Sequence, residues 1–146
     1  PLADSQIETL QKGYDRQLLR ELGKRFLIQP HPGIAPWAEF VMDEQYDEQN
    51  LDPVLREMIL IALLSSRKQV GTIAIHIYWA LMEGVKPNEI AQAIALTGTY
   101  TGIDNYVIGI RAYQQTLSIL ADQCLKSEEE HYSEAVLNQL IQLFPA

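Results

Sequence analysis

The chain has 146 residues, of which 47% are hydrophobic and 21% charged, and a formal net charge of −8. That length fits a single domain, 1–146, with a sizeable core, and the acidic balance argues against nucleic acid, whose phosphates require a basic face. One cysteine, Cys124, excludes an internal disulfide and a zinc site built on several thiolates.

The opening segment PLADSQIETL lacks the basic-then-apolar pattern of a secretory signal. The longest uncharged runs, 69–82 and 90–103, are 14 residues each, too short to span a bilayer. The expectations are no membrane partner and a reduced cytoplasmic compartment. Strand signals are scarce, with neither sustained alternation nor an Asn-Gly or Asp-Gly turn. Helical spacing recurs instead. Ile7, Leu10, Tyr14, Leu18 and Leu22 recur at intervals of three and four, which predicts a first helix over about 5–26. The prolines of QPHPGIAP, 29–36, predict a turn, because each restricts itself and the residue before it. A second helix is expected from 36 to about 49, with Trp37, Phe40, Val41 and Tyr46 facing inward.

Asp52-Pro53 is a helix start, with Asp as N-cap and Pro at the first helical position. That helix is expected to reach about 67. After a break over 68–71, a helix over 72–83 stops at Gly84. Pro87 opens the next, which runs to about 100 and ends at Gly102. Asp104 caps a helix over about 105–125, and Ser127 with Glu130 fits a capping box for a last helix reaching about 143. Tyr132, Val136, Leu140 and Phe144 share one face of it. The pattern is all-α, with about seven helices joined by short loops.

Two of these helices are apolar almost all round. Every residue from Met58 to Leu64 is apolar, and from Ile73 to Met82 the exception is His76, with Tyr78 and Trp79 counted as apolar. A helix of that kind is covered on most sides. One domain of this size encloses one such helix, so two predict subunits that cover each other in a homo-oligomer.

His76 and Glu57 are the candidate chemical groups, since each sits where a core prefers carbon. His76 is either a core histidine satisfied by one hydrogen bond or a proton-transfer group. Glu57 is either a first-turn acid favoured by the helix dipole or a buried carboxylate able to take or give a proton. Arg56 is adjacent in sequence but does not share the Glu57 face, so it is not the expected partner. Thr72 lies four residues before His76, on the same helix face. Arg111 is either a carboxylate partner or a surface salt bridge, and Cys124 reads as a small buried hydrophobe. His31 and His131 read as exposed residues. Glu57 and His76 make only two ligands, and no H-E-x-x-H spacing occurs, so no metal site is expected.

The stretch 51–113 resembles the carboxymuconolactone decarboxylase and alkylhydroperoxidase D-like family. The resemblance rests on Leu55-Arg56-Glu57 before the apolar run, H-x-x-x-A-L-x-x-G over 76–84, Glu89-Ile90, Y-x-G over 100–102 and Arg111-Ala112. It implies a helical bundle, assembly as a trimer or hexamer, and a proton relay through Glu57 and His76. In the redox branch of the family a C-x-x-C pair lies between the two; here those positions are Gln69 and Thr72. Neither forms a thiolate, so thiol peroxidase chemistry is not expected. The decarboxylase branch carries a glutamate four residues before the motif histidine, where this chain has Thr72. The resemblance therefore implies a small-molecule substrate and a lyase or isomerase using no cofactor. Its site would comprise Glu57 and His76, with Gln69, Thr72 and Tyr100 lining a pocket. The alternative is a non-catalytic oligomeric binding protein descended from the redox branch.

Overall fold

Among the described residues helix follows helix, and the punctuation residues decide where each one stops. The computed structural model describes residues 2–126 and 132–143. The expected capping box over 127–130, His131, Phe144 and the side chain of Tyr132 lie outside what it describes. Among the described residues the elements are α1 (Asp4–Lys12), α2 (Arg16–Ile28), a short 3-10 turn (Pro32–Ile34), α3 (Ala35–Glu39) running into a π-type turn (Phe40–Gln45), α4 (Pro53–Ser66), α5 (Val70–Met82), α6 (Pro87–Thr101), α7 (Ile103–Lys126) and α8 (Tyr132–Ile141). The protein is all-helical, with eight α-helices among the described residues rather than about seven.

The extra helix comes from a break in the first one. Gly13 ends α1, and the Asp15 carboxylate accepts a hydrogen bond from Leu18 N at 3.1 Å, capping a new helix. The break shifts the apolar stripe, so that Leu19 rather than Leu18 is buried. A brace holds this junction to the end of α5. The Tyr14 hydroxyl donates to Glu83 Oε2 at 2.7 Å, and Arg16 grips both oxygens of Glu83 at 2.9 and 2.6 Å. Burial alone would raise the Glu83 pKa, but the bonds from Arg16 and Tyr14 outweigh it and hold it below the usual value.

The segment after α2 also differs from expectation. Helical geometry ends at Gln45 rather than 49, and the π-type turn rotates the register. Ala38, Met42 and Tyr46 therefore face inward, Val41 is half-buried, and Trp37 and Phe40 are exposed.

The core forms around α5, where Ile73, Ile77, Tyr78 and Leu81 are inaccessible to solvent. This helix packs against α1, α4, α7 and α8, which accounts for its apolar circumference. It begins two residues earlier than expected, at Val70, because Lys68 adopts φ 59° and reverses the chain. By contrast, α4 has two faces. Glu57, Ile61 and Ser65 point inward at four-residue intervals, while Leu55, Ile59 and Leu63 are exposed at the same interval. Its outer face is not covered within one protomer. Helices α6 and α7 meet where Gly98 touches Tyr106; a Cβ on Gly98 would overlap the Tyr106 Cβ. Between them Gly102 takes φ 124°, which ends one helix and lets the next start at once.

Candidate functional site

The position of Glu57 follows from the start of α4. Asp52 Oδ1 accepts from Val54 N at 2.9 Å and Leu55 N at 3.3 Å, and Pro53 fixes the first turn. One turn in, Glu57 is carried to the inner face and is fully buried. His76 sits midway along α5 and faces it. His76 Nδ1 lies 2.7 Å from Glu57 Oε1. The two residues 19 apart in sequence thus form a direct pair.

A third charged group completes the cluster, and it is the one set aside on sequence grounds. Arg56 Nε donates to Glu57 Oε2 at 2.7 Å, and Arg56 Nη1 donates to Tyr46 O at 3.2 Å. Helix geometry turns adjacent residues apart, but the long arginine side chain curls back to reach its neighbour. It is held there between aromatic faces, with its guanidinium 4.5 Å from the Tyr46 ring centre and 5.2 Å from that of Trp79. Arg56 Nη2 and Trp79 Nε1 are buried without an acceptor among the described residues. Glu57 is therefore the only carboxylate paired with Arg56 there. Burial, with the nearby Glu57 charge adding to it, pushes the Tyr46 hydroxyl well above its usual pKa and keeps it protonated.

The pair lies beside a cavity of about 210 Å³. Phe26 and Leu27 of α2, Trp37 of α3, Tyr46, and Ile75 and Trp79 of α5 form most of its wall. His76 lines it and Glu57 does not. Nδ1 is engaged by Glu57, so Nε2 is the ring nitrogen left to the cavity. When the imidazole is neutral with its proton on Nδ1, Nε2 holds the free lone pair. The Trp79 ring lies within 6° of parallel to the imidazole, with centres 6.3 Å apart.

The other expected pocket residues divide. Thr72 lines this cavity one turn before His76. Gln69 is exposed and lines a separate groove of about 800 Å³ with Lys68, Thr72, Arg111 and Gln115. Tyr100, placed in the pocket on sequence grounds, is 82% exposed and lines neither space. It lies in the last turn of α6, on a side that neither α4 nor α7 covers. Cys124 is half-buried on α7, with Sγ 3.8 Å from Gln6 O, and lines neither space.

A family model for the carboxymuconolactone decarboxylase family matches residues 35–114. The chain belongs to that family. The matched span runs from α3 into α7 and holds every member of the polar cluster. The cavity of this carboxymuconolactone decarboxylase family member also takes wall residues from α2, outside that span. Comparison with curated proteins and with solved structures gave no match. Among the described residues, no group of three or more His, Cys, Asp or Glu is placed to hold a metal ion. No helix among them is long and apolar enough to cross a membrane.

Proposed function

We propose that this family member is a lyase or isomerase that moves a proton on a small carbonyl compound. The observation that carries this reading is the 2.7 Å contact between a buried carboxylate and a histidine that also lines a cavity. His76 Nε2 takes the proton from a carbon next to the carbonyl, and the C–H electron pair moves into an enolate. Glu57 stabilises the imidazolium that forms and fixes the ring through Nδ1, the role a carboxylate plays behind a histidine base. The imidazolium then returns the proton to a carbon of the enolate. Glu57 does not line the cavity, so it acts as a positioning residue and His76 as the catalytic one.

The exposed rows on α4, α6 and α7 support assembly of the protein as a homo-oligomer. Leu55, Ile59 and Leu63 of α4 lie on helices in mutual contact with Leu96 and Tyr100 of α6 and Ile103 of α7. That much apolar surface marks an interaction face. A second reading, a non-catalytic binding protein, draws support from Arg56. Its bond to Glu57 gives the carboxylate a structural role whether or not His76 turns over.

Solvent exchange tests the choice. A panel of ring ketones and lactones is incubated with protein in heavy water and followed by proton NMR. Deuterium entering the carbon next to the carbonyl, and its loss in His76→Gln, is expected. No enzyme-dependent exchange across the panel would favour the binding protein.

A further inference from the structure

The cavity wall narrows the class of molecule that fits. Among the described residues, no Lys, Arg, Asp or Glu side chain lines it. The Arg56 guanidinium packs over the Tyr46 and Trp79 rings, which line the cavity, and is already paired with Glu57. A carboxylate entering this space would lose its water and meet no Lys or Arg counter-ion among the described residues. Burial of an unpaired charge on those terms is strongly unfavourable. A neutral ring loses little by entering and gains contact with aromatic and aliphatic walls.

Size sets a second limit. An apolar cavity of about 150 Å³ holds one benzene ring. A cavity of about 210 Å³ therefore holds one six-membered ring with about two or three further heavy atoms. His76 and Thr72 bring the hydrogen-bonding side chains of α5 to this wall, one turn apart.

We propose that the cavity beside His76 takes a neutral, single-ring molecule with one hydroxyl or carbonyl oxygen directed at His76, and rejects the carboxylated counterpart. The proposal rests on reading this cavity as the reaction site, but binding does not require turnover. The cations Lys68 and Arg111 line the separate groove, where Thr72 is the residue shared with the cavity.

The two tryptophans of the chain, Trp37 and Trp79, both line the cavity, so their fluorescence reports on its contents. The probes are benzyl alcohol and benzoate, titrated into the full chain at neutral pH. Benzyl alcohol is expected to change the emission saturably, with an affinity higher than that of benzoate by roughly tenfold or more. Cross-relaxation from its ring protons to the Ile75 methyl groups is expected to place it in the cavity. Val41→Phe, which fills the wall, is expected to abolish the effect. If Val41→Phe does not fold, the cross-relaxation measurement fixes the location in the wild type. Benzoate binding as tightly as benzyl alcohol, saturation by neither, or benzyl alcohol in contact with other residues would each overturn the proposal. Deuterium exchange failing while benzyl alcohol still binds at Ile75 would overturn the catalytic reading and leave this one standing.

Discussion

Glu57→Gln keeps the shape of the side chain and removes its charge, which isolates what the carboxylate does for Arg56. The Arg56 side chain is 5% exposed and that of Glu57 is wholly buried. Breaking such a pair leaves a buried guanidinium with Tyr46 O and two aromatic faces as its remaining partners. The expected cost is about 3–5 kcal/mol, a large part of the roughly 5–15 kcal/mol that holds a domain together. With a urea slope of about 2 kcal/mol per molar, the unfolding midpoint falls by roughly 1.5–2.5 M. Adding Arg56→Met removes the orphaned charge and keeps an unbranched apolar chain against Tyr46. The double variant is therefore expected to be more stable than Glu57→Gln alone, by about 2 kcal/mol. Urea unfolding followed by far-ultraviolet circular dichroism, at one fixed protein concentration, measures both. A double variant no more stable than Glu57→Gln would refute the account, because Arg56 would then not be the group that Glu57 neutralises. The same design changes how His76 variants are interpreted. His76→Gln leaves the Arg56–Glu57 bond in place, so its effect on stability is expected to be the smaller one.

The other predictions concern the brace, the helix contact and the outer face. The Glu83 pKa is lower in the folded protein than its ordinary value of 4.5, so its contribution is complete above that value and fades as pH falls through the folded one. Between about pH 5 and pH 3 the wild type is expected to lose more stability than Glu83→Gln, as thermal melts across that range would show. Gly98→Ala gains about 1 kcal/mol of helix propensity, but its Cβ would overlap Tyr106. Overpacking costs about 1–3 kcal/mol, so a net loss of up to about 2 kcal/mol is expected in urea unfolding. Static light scattering is expected to give the wild type a mass above one protomer, and Ile59→Lys with Leu63→Lys a lower one. A wild type that is monomeric at micromolar concentration would refute the outer face as an interface.

Legibility in the sequence followed the range of the interaction involved. Asp52-Pro53, Gly84 and Gly102 act on their own neighbours, and each ends or begins a helix as its chemistry requires. The helical spacing around 7–22 was as clear, yet it concealed the break at Gly13 and Asp15. The apolar period passes through that junction, and the deciding signal was a short cap rather than the stripe. Phe40 opens the π-type turn, which changes the side that each residue within it meets, whereas Trp37 precedes that turn in α3 and is exposed there. Arg56 was missed for another reason. Helix-face arguments describe Cβ directions, whereas an arginine reaches far enough to bond a neighbour on the adjoining face. Tyr100 belongs to a motif whose spacing says nothing about which side of α6 faces α4 and α7.

The identity of residues 69 and 72 has a wider consequence once the cavities are known. The resemblance assigns these two positions to a redox pair, whose sulfurs must meet at one reacting centre. Here Thr72 shares the wall of the His76 cavity and Gln69 lines the adjoining groove instead. Thr72 lines that groove as well, so thiols at both positions would share it, and the one at Thr72 would also face the His76 cavity. The two substitutions therefore go with a division of the surface into an apolar chamber at His76 and a groove carrying Lys68 and Arg111. The proposed proton transfer needs one base and one fixed partner behind it, which fits the His76–Glu57 pair beside that chamber. Peroxide reduction by a dithiol needs two thiols, and the described wall of this cavity carries the Met42 thioether but no cysteine.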